Sequence, residues 1–314
     1  MKISINQAEI LNKITDNVEK AIFGKREVIE LAICSFLCGG HVLIEDVPGV
    51  GKTSLAAALA RSFSCSFRRI QFTPDIMPSD ITGFTMYNPK TGEFEYKEGL
   101  ITAQIILADE INRTPPKTQS SLMEIMEENQ KTVDGITYQM PKPFIVLATQ
   151  NPVEYTGTYP LPEAQLDRFF IRISIGYPSD AVESDMLTIL NGGRPIETLT
   201  PVATEADLIA LQNSLSEIYV DKKVNGYIID IINDTRKNEN VMLGASPRAS
   251  FCLYRAAQAW AMYSGRDHVR PDDVIKMAPP VLEHRIVMKQ EAKMKKITPA
   301  MVVKSAVGNV KVPM

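Results

Sequence analysis

A stretch between two apolar segments carries residue types that bind phosphate. The stretch runs from Glu45 to Thr53 and ends in Gly51-Lys52-Thr53; an apolar strand at 41–44 leads into it, and a helix-forming run follows. A glycine-containing loop between a strand and a helix, closed by Gly-Lys-Thr, is the pattern of a P-loop, whose backbone N–H groups can face an anion. The predicted phosphate-binding residues are Val47, Pro48, Gly49, Val50, Gly51, Lys52, Thr53 and Ser54.

Lys52 and Thr53 make this prediction more specific. A cation in the first turn of a helix opposes the helix dipole, so Lys52 becomes favourable there once phosphates bind. Thr53 offers a hydroxyl to the Mg²⁺ that accompanies a nucleoside triphosphate. The general pattern begins with glycine, whereas Asp46 stands at that position here. The motif alone is therefore weaker than a full match and needs support from other residues.

Two carboxylates follow the apolar run 105–108. Ligands of open α/β sheets bind at the carboxyl ends of the strands, so Asp109 and Glu110 should emerge beside the P-loop. We expect Asp109 to hold Mg²⁺ through water, and Glu110 to orient and polarise the water that attacks the γ-phosphate. Such a pair is often only a strand cap. The preceding Gly-Lys-Thr loop makes the catalytic interpretation the stronger one.

Three further polar residues have two interpretations each. Asn151 follows an apolar run, so it could bond the γ-phosphate or the attacking water, or simply start a loop. Arg168 could lie at the edge of the core, or act as an arginine finger that stabilises transition-state charge in the next subunit. Arg248 opposes the dipole of a helix that begins near Ser246, which indicates either an external anion or a salt bridge to a neighbour.

Five short apolar runs predict a parallel sheet covered by helices on both faces. These runs are 41–45, 68–72, 105–108, 144–148 and 170–175. Two turn clusters predict hairpins added to this core, near 84–97 and 131–139. Helical spacing dominates after residue 178, so we predict an α/β domain at 1–178 and a helical domain at 179–314.

The composition restricts the function classes. The chain has 314 residues, 45% of them apolar, and a net charge of −3, which gives no general field for nucleic acid or anionic lipid. The four cysteines have no metal-site spacing, so buried thiols in a reducing compartment are expected. The chain start lacks a signal-peptide core, and no apolar run approaches the ~20 residues that cross a bilayer. We therefore expect a cytoplasmic protein without membrane insertion.

Taken in order, these motifs resemble the MoxR family of AAA+ ATPases. The matching segments are 39–53, 71–83, 107–119, 148–152, 157–169 and 244–250. The resemblance covers nearly the whole chain, and Asp46 is ordinary for this family. It implies an AAA+ P-loop NTPase core, with a five-stranded parallel sheet between helices, followed by a small all-α lid domain.

The resemblance also implies roles for single residues. Similar proteins assemble as rings, usually hexamers, with ATP between subunits, which would give Arg168 its role in trans. Arg248 matches the sensor-2 arginine, Asn151 matches sensor 1, and Phe23 and Gly24 fall where such proteins contact adenine. The two hairpins resemble the helix-2 insert and the pre-sensor-1 hairpin, which face the ring pore or a partner.

The family is associated with chaperone-like maturation of client proteins, often ones with von Willebrand A domains. The leading hypothesis is therefore an ATP- and Mg²⁺-dependent ring that remodels a client protein. A nucleic-acid-remodelling AAA+ motor is the first alternative, although the charge is slightly acidic and no dedicated DNA-binding domain is evident. A nucleotide-gated scaffold, in which hydrolysis is incidental, is the second.

Overall fold

The computed structural model describes residues 2–151, 157–191 and 193–313. Its strands are β1 (Val42–Glu45), β2 (Phe67–Gln71), β3 (Gly83–Asn88), β4 (Glu93–Glu98), β5 (Ile105–Asp109), β6 (Gln130–Val133), β7 (Ile136–Gln139), β8 (Ile145–Gln150), β9 (Ile171–Ile173), β10 (Val241–Leu243) and β11 (Val287–Met288). Its α-helices are α1 (Lys2–Glu19), α2 (Arg26–Leu37), α3 (Lys52–Ser62), α4 (Pro78–Thr82), α5 (Pro116–Glu128), α6 (Glu163–Leu166), α7 (Asp180–Asn191), α8 (Pro195–Thr198), α9 (Glu205–Ser214), α10 (Lys222–Lys237), α11 (Pro247–Tyr263), α12 (Pro271–Leu282), α13 (Gln290–Met294) and α14 (Pro299–Asn309).

The central sheet has five parallel strands in the order β2-β5-β8-β1-β9. Every residue of β5 is buried, as expected for a strand covered by helices on both faces. The five predicted apolar runs correspond to these five strands, so the prediction of a parallel α/β core is confirmed. Because all five strands run in the same direction, they all end on one side of the sheet, called here the carboxyl edge, and all begin on the opposite side, the amino edge.

Two antiparallel hairpins project from this core, β3–β4 and β6–β7. The turn of β6–β7 places Asp134 at φ 49° and Gly135 at φ 80°, the left-handed pair that a two-residue Asp-Gly turn requires. The rings of Tyr96 and Tyr138 stack with their centroids 4.2 Å apart, and this contact joins the two hairpins. Both hairpins lie where the sequence predicts them.

The helices after β9 form a lid that packs on the core. Helix α11 packs against α12 and α10 within the lid, and against α1 and α2 from the start of the chain. Strands β10 and β11 pair as a short antiparallel ribbon that the helical periodicity did not predict. The helical lid is otherwise as predicted, whereas a domain boundary at residue 178 stays a prediction.

None of the helices in the described ranges is both long enough and apolar enough to cross a membrane.

Candidate active site

The P-loop connects the carboxyl end of β1 to the start of α3. Gly49 and Gly51 have φ values of 88° and 97°, a region that favours glycine, and Gly51 directly precedes the first residue of the helix. The Nζ atom of Lys52 donates to the carbonyl oxygen of Asp46 at 2.7 Å, so the ammonium group lies across the loop. The loop therefore has the strand–loop–helix geometry predicted from the sequence.

Asp46 joins the P-loop to the segment that follows β9. Its Oδ2 atom accepts hydrogen bonds from the backbone N–H groups of Ile175 at 2.6 Å and Gly176 at 2.7 Å, and from the hydroxyl of Ser174 at 3.0 Å. Asp46 is only 7% exposed. A glycine at this position would leave these donors without their acceptor, which explains why the chain departs from the general pattern there.

We expect the substitution Asp46→Gly, which restores the general pattern, to lower the free energy of unfolding by about 1–3 kcal/mol, because buried donors lose their partner. Urea denaturation followed by fluorescence of the single tryptophan, Trp260, measures this loss. Asp46→Asn keeps one side-chain oxygen and should lose less. Equal stability of Asp46→Gly and the native chain would contradict this role.

Asp109 and Glu110 lie in the same cavity as Lys52 and Thr53, with a volume of about 350 Å³. The cavity is at the carboxyl edge of the sheet, since Asp109 ends β5 and the P-loop follows β1. Carboxylate and hydroxyl oxygens are ligands that Mg²⁺ prefers. Thr53 and Asp109 could therefore hold that ion beside bound phosphates, and the donor set fits the ion.

Each carboxylate oxygen of Asp109 has a hydrogen-bond partner. Its Oδ1 atom accepts from the hydroxyl of Thr149 at 2.6 Å, and Oδ2 accepts from Nη2 and Nε of Arg69 at 2.7 and 3.0 Å. Arg69 lines the same cavity as the P-loop. Its guanidinium group therefore balances part of the charge of Asp109 within the cavity.

Glu110 has a constrained backbone and two side-chain partners. Its φ of 57° is left-handed, which is uncommon for a residue other than glycine and is often found at functional sites. Its Oε2 atom accepts from Nε2 of Gln71 at 2.7 Å and pairs with Nε of Arg113 at 2.9 Å. These contacts hold the carboxylate in place in the lining of the cavity that also contains Lys52 and Thr53.

Asn151 directly follows β8, which lies between β1 and β5 in the sheet. It is 5% exposed and sits at the carboxyl edge, between the P-loop and the strand of Asp109. The structure thus places Asn151 at the same edge of the sheet as the P-loop and Asp109, and its contact with the γ-phosphate or the attacking water stays a prediction. Pro152, which completes the sequence motif, lies outside the described residues.

Phe23 lies on the other side of the P-loop. It lines a cavity of about 440 Å³ together with Gly49, Val50 and Tyr177. Gly24 has a φ of 65°, and a Cβ atom there would lie 3.1 Å from a methyl group of Val182. A cavity beside the P-loop has room for a nucleobase, and contacts of Phe23 and Gly24 with adenine stay a prediction.

Arg168 and Arg248 lie together at the amino edge of the sheet. Arg168 comes just before β9, whose Ile171 pairs with Val42 at the beginning of β1, whereas the P-loop follows the other end of β1. Both arginines pair with Glu127: Nη2 of Arg168 at 2.8 Å and Nη1 of Arg248 at 3.2 Å. For Arg248, the salt bridge that the sequence left open is therefore present.

The structure adds residues that the sequence analysis did not assign to the site. Arg69 and Gln71 come from β2, Arg113 follows β5, and Glu127 is near the end of α5. No sequence signal marked these residues, because charged and polar side chains are ordinary on a largely exposed edge strand such as β2 and on a helix surface.

Comparison with known proteins agrees with this geometry. Residues 41–171 match the ATPase family associated with various cellular activities (AAA), and residues 233–305 match the AAA lid domain. The whole chain is 40% identical to chaperone MoxR1 of Mycobacterium tuberculosis, covering 98% of this chain and 83% of the relative. The chain belongs to the MoxR family of AAA+ ATPases. The resemblance seen in the sequence motifs is thereby confirmed.

Other relatives of this MoxR-family protein extend the comparison. A Bacillus subtilis protein named YeaC is 50% identical, with coverage of 97% of this chain and 95% of the relative. The crystal structure of a candidate ATPase from Cytophaga hutchinsonii superposes with a TM-score of 0.91 at 36% identity, covering 99% and 97% of the two chains. The AAA+ core and lid of the MoxR-family chain thus share the architecture of an experimental structure.

Proposed function

We propose that the protein hydrolyses ATP at the interface between subunits of a hexameric ring. The position of Arg168 and Arg248 carries this proposal. They lie at the amino edge, separated from the phosphate cavity by at least the length of β1, roughly 10 Å at ~3.3 Å per residue. One copy therefore offers a phosphate site on one face and two cations on another, and a head-to-tail contact that closes into a ring can bring them together.

Within the proposed site, the chain's own residues bind and orient. Lys52 and the loop N–H groups bind the phosphates, and Thr53 and Asp109 would hold Mg²⁺, which would neutralise phosphate charge when bound. Glu110 orients the attacking water and accepts its proton, while Asn151 contacts the water or the γ-phosphate. Arg168 and Arg248 of the neighbouring copy would stabilise the charge that develops on the γ-phosphate.

We further propose that hydrolysis drives remodelling of a client protein, one with a von Willebrand A domain. The hairpins expose apolar side chains that a monomeric protein normally buries. The exposed apolar residues of the hairpins are Phe84, Met86, Tyr87, Phe94 and Ile136. Such a surface suits a protein client better than a phosphate backbone, and the name of the mycobacterial relative includes the word chaperone. A cytoplasmic location agrees with the four free cysteines.

The substitution Lys52→Ala tests the nucleotide site. Because it removes a charged donor to the phosphates, we expect ATP affinity to fall roughly 10- to 100-fold, measured by calorimetry. Lys13→Ala, an exposed lysine on α1, is the matched control and should bind ATP like the native protein. Unchanged affinity in Lys52→Ala would contradict the assignment of the P-loop as the ATP site.

A further inference from the structure

One carboxylate contacts both arginines at the amino edge. Oε2 of Glu127 pairs with Nη2 of Arg168 at 2.8 Å, and Oε1 pairs with Nη1 of Arg248 at 3.2 Å. The two arginines come from different parts of the fold, one from the segment before β9 and the other from lid helix α11. Glu127 is thus the residue of the core that connects the two cations.

The end of α5 that carries Glu127 is held in place by hydrogen bonds of His41. Nδ1 of His41 accepts from the backbone N–H of Val146 at 3.0 Å, so Nε2 carries the proton and donates to the carbonyl oxygen of Met126 at 2.9 Å. Burial lowers the pKa of His41 to about 4, so the ring stays neutral and keeps this pattern near neutral pH. The end of α5 that carries Glu127 is thereby tied to the amino ends of β1 and β8.

The arginines are held from the other side as well. Asp167, the neighbour of Arg168, accepts from Nε of Arg285 at 2.8 Å and from the hydroxyl of Ser246 at 3.1 Å. Ser246 caps the helix on which Arg248 occupies the second position. These contacts fix the backbones at both arginines and leave Glu127 to orient the guanidinium groups.

We propose that Glu127 is a positioning residue that holds Arg168 and Arg248 as one unit, oriented for the phosphates of ATP in the neighbouring subunit. This inference rests on the proposed function, since it assumes that the arginines act across the interface. Glu127 itself does not touch the reacting atoms. It acts through the two guanidinium groups.

The charges and donors at the cluster agree with this role. Two adjacent cations repel each other, and a carboxylate between them removes that repulsion while leaving a net charge of one positive unit for an incoming anion. Each guanidinium group has five N–H donors, so a pair with Glu127 leaves donors for phosphate oxygens. Side-chain exposures of 29% for Arg168 and 41% for Arg248 keep these donors accessible.

Steady-state ATPase kinetics of the full chain test the proposal. We expect Glu127→Gln to lower kcat by roughly 10- to 100-fold, as small misplacements of catalytic groups do, with calorimetric ATP affinity within about twofold of native. In an Arg168→Ala/Arg248→Ala background, Glu127→Gln should cause no further loss, because the residues it positions are absent. Glu128→Gln, the adjacent exposed glutamate, is the matched control and should keep native kinetics.

Mixed assemblies show on which side of the interface Glu127 acts. Glu127→Gln subunits mixed with Lys52→Ala subunits should regain turnover, since the second variant supplies an intact arginine pair to the first. An unchanged kcat in Glu127→Gln, or a loss that adds in full to that of the arginine variants, would overturn the inference. If Arg168→Ala itself keeps native turnover, the proposed function has failed instead, so the two failures are distinguishable.

Discussion

Replacing Arg168 with alanine should lower ATP turnover by roughly 10³- to 10⁵-fold, the range measured for arginine fingers. The reason is geometric. Arg168 lies at the amino edge with Glu127, whereas Lys52 and Glu110 line the phosphate cavity at the carboxyl edge. A group so placed can stabilise the transition state of a neighbouring subunit without contributing to nucleotide binding in its own. We therefore expect calorimetric ATP affinity to stay near the native value while phosphate release is nearly abolished.

The control for this experiment is Arg68→Ala. Arg68 is also an exposed arginine, but it lies in the edge strand β2, where its Nη1 atom donates to the hydroxyl of Thr102. Its removal changes the total charge by the same amount and should leave turnover near native. If Arg168→Ala and Arg68→Ala hydrolyse ATP equally fast, Arg168 is not the arginine that completes the site.

The second large effect is expected for Glu110→Gln. The amide keeps the size of the side chain and loses the base, so the variant should bind ATP but turn it over about 10²- to 10⁴-fold more slowly, the typical contribution of general acid–base catalysis. Calorimetry with ATP and a phosphate-release assay measure the two quantities separately. Full hydrolysis by this variant would show that Glu110 does not activate the water.

The Glu110→Gln variant also tests whether the client protein is remodelled by ATP hydrolysis. A Glu110→Gln protein that stays loaded with ATP should remain bound to its client when purified from its own cells, and its ability to activate that client should be lost. Client activation that proceeds equally well without hydrolysis would favour a nucleotide-gated scaffold over a remodelling ATPase. ATPase stimulation by DNA, with a steep dependence on salt, would favour a nucleic-acid motor.

The carboxyl edge of the site could be predicted from the sequence because its parts are local. Lys52 and Thr53 begin α3 after the short loop that follows β1, Asp109 ends β5, and Glu110 comes directly after it. Parallel strands bring their carboxyl ends to one edge, so four residues from two segments meet without any knowledge of side-chain packing. The fold class followed from the five predicted strand segments that form the parallel sheet.

Asp46 shows where local reasoning is insufficient. When the sequence is compared with the general P-loop pattern, Asp46 stands where that pattern has glycine. In the folded chain its carboxylate accepts from the N–H groups of Ile175 and Gly176, which are about 130 residues away in sequence. Only the tertiary structure brings these donors to the loop, and the resemblance to a family could indicate that Asp46 is tolerated but not what it contacts.

The amino edge could be predicted only in part, for the same reason. The sequence indicates that Arg168 and Arg248 each suit an anion, but not that they lie together, because one precedes a strand of the core and the other begins a helix of the lid. Their meeting at Glu127 depends on how the lid packs on the core. Whether Arg248 serves its own subunit or the next could not be predicted from the sequence, and its place beside Arg168 supports the second.

Mixing two inactive variants tests the central claim most directly. Lys52→Ala subunits lack the phosphate lysine but carry both arginines, and Arg168→Ala subunits have the reverse defect. If ATP is hydrolysed between subunits, mixed assemblies should contain interfaces with an intact P-loop on one side and an intact Arg168 on the other, and phosphate release should partly return. Absence of any recovery in mixtures that demonstrably exchange subunits would contradict the account.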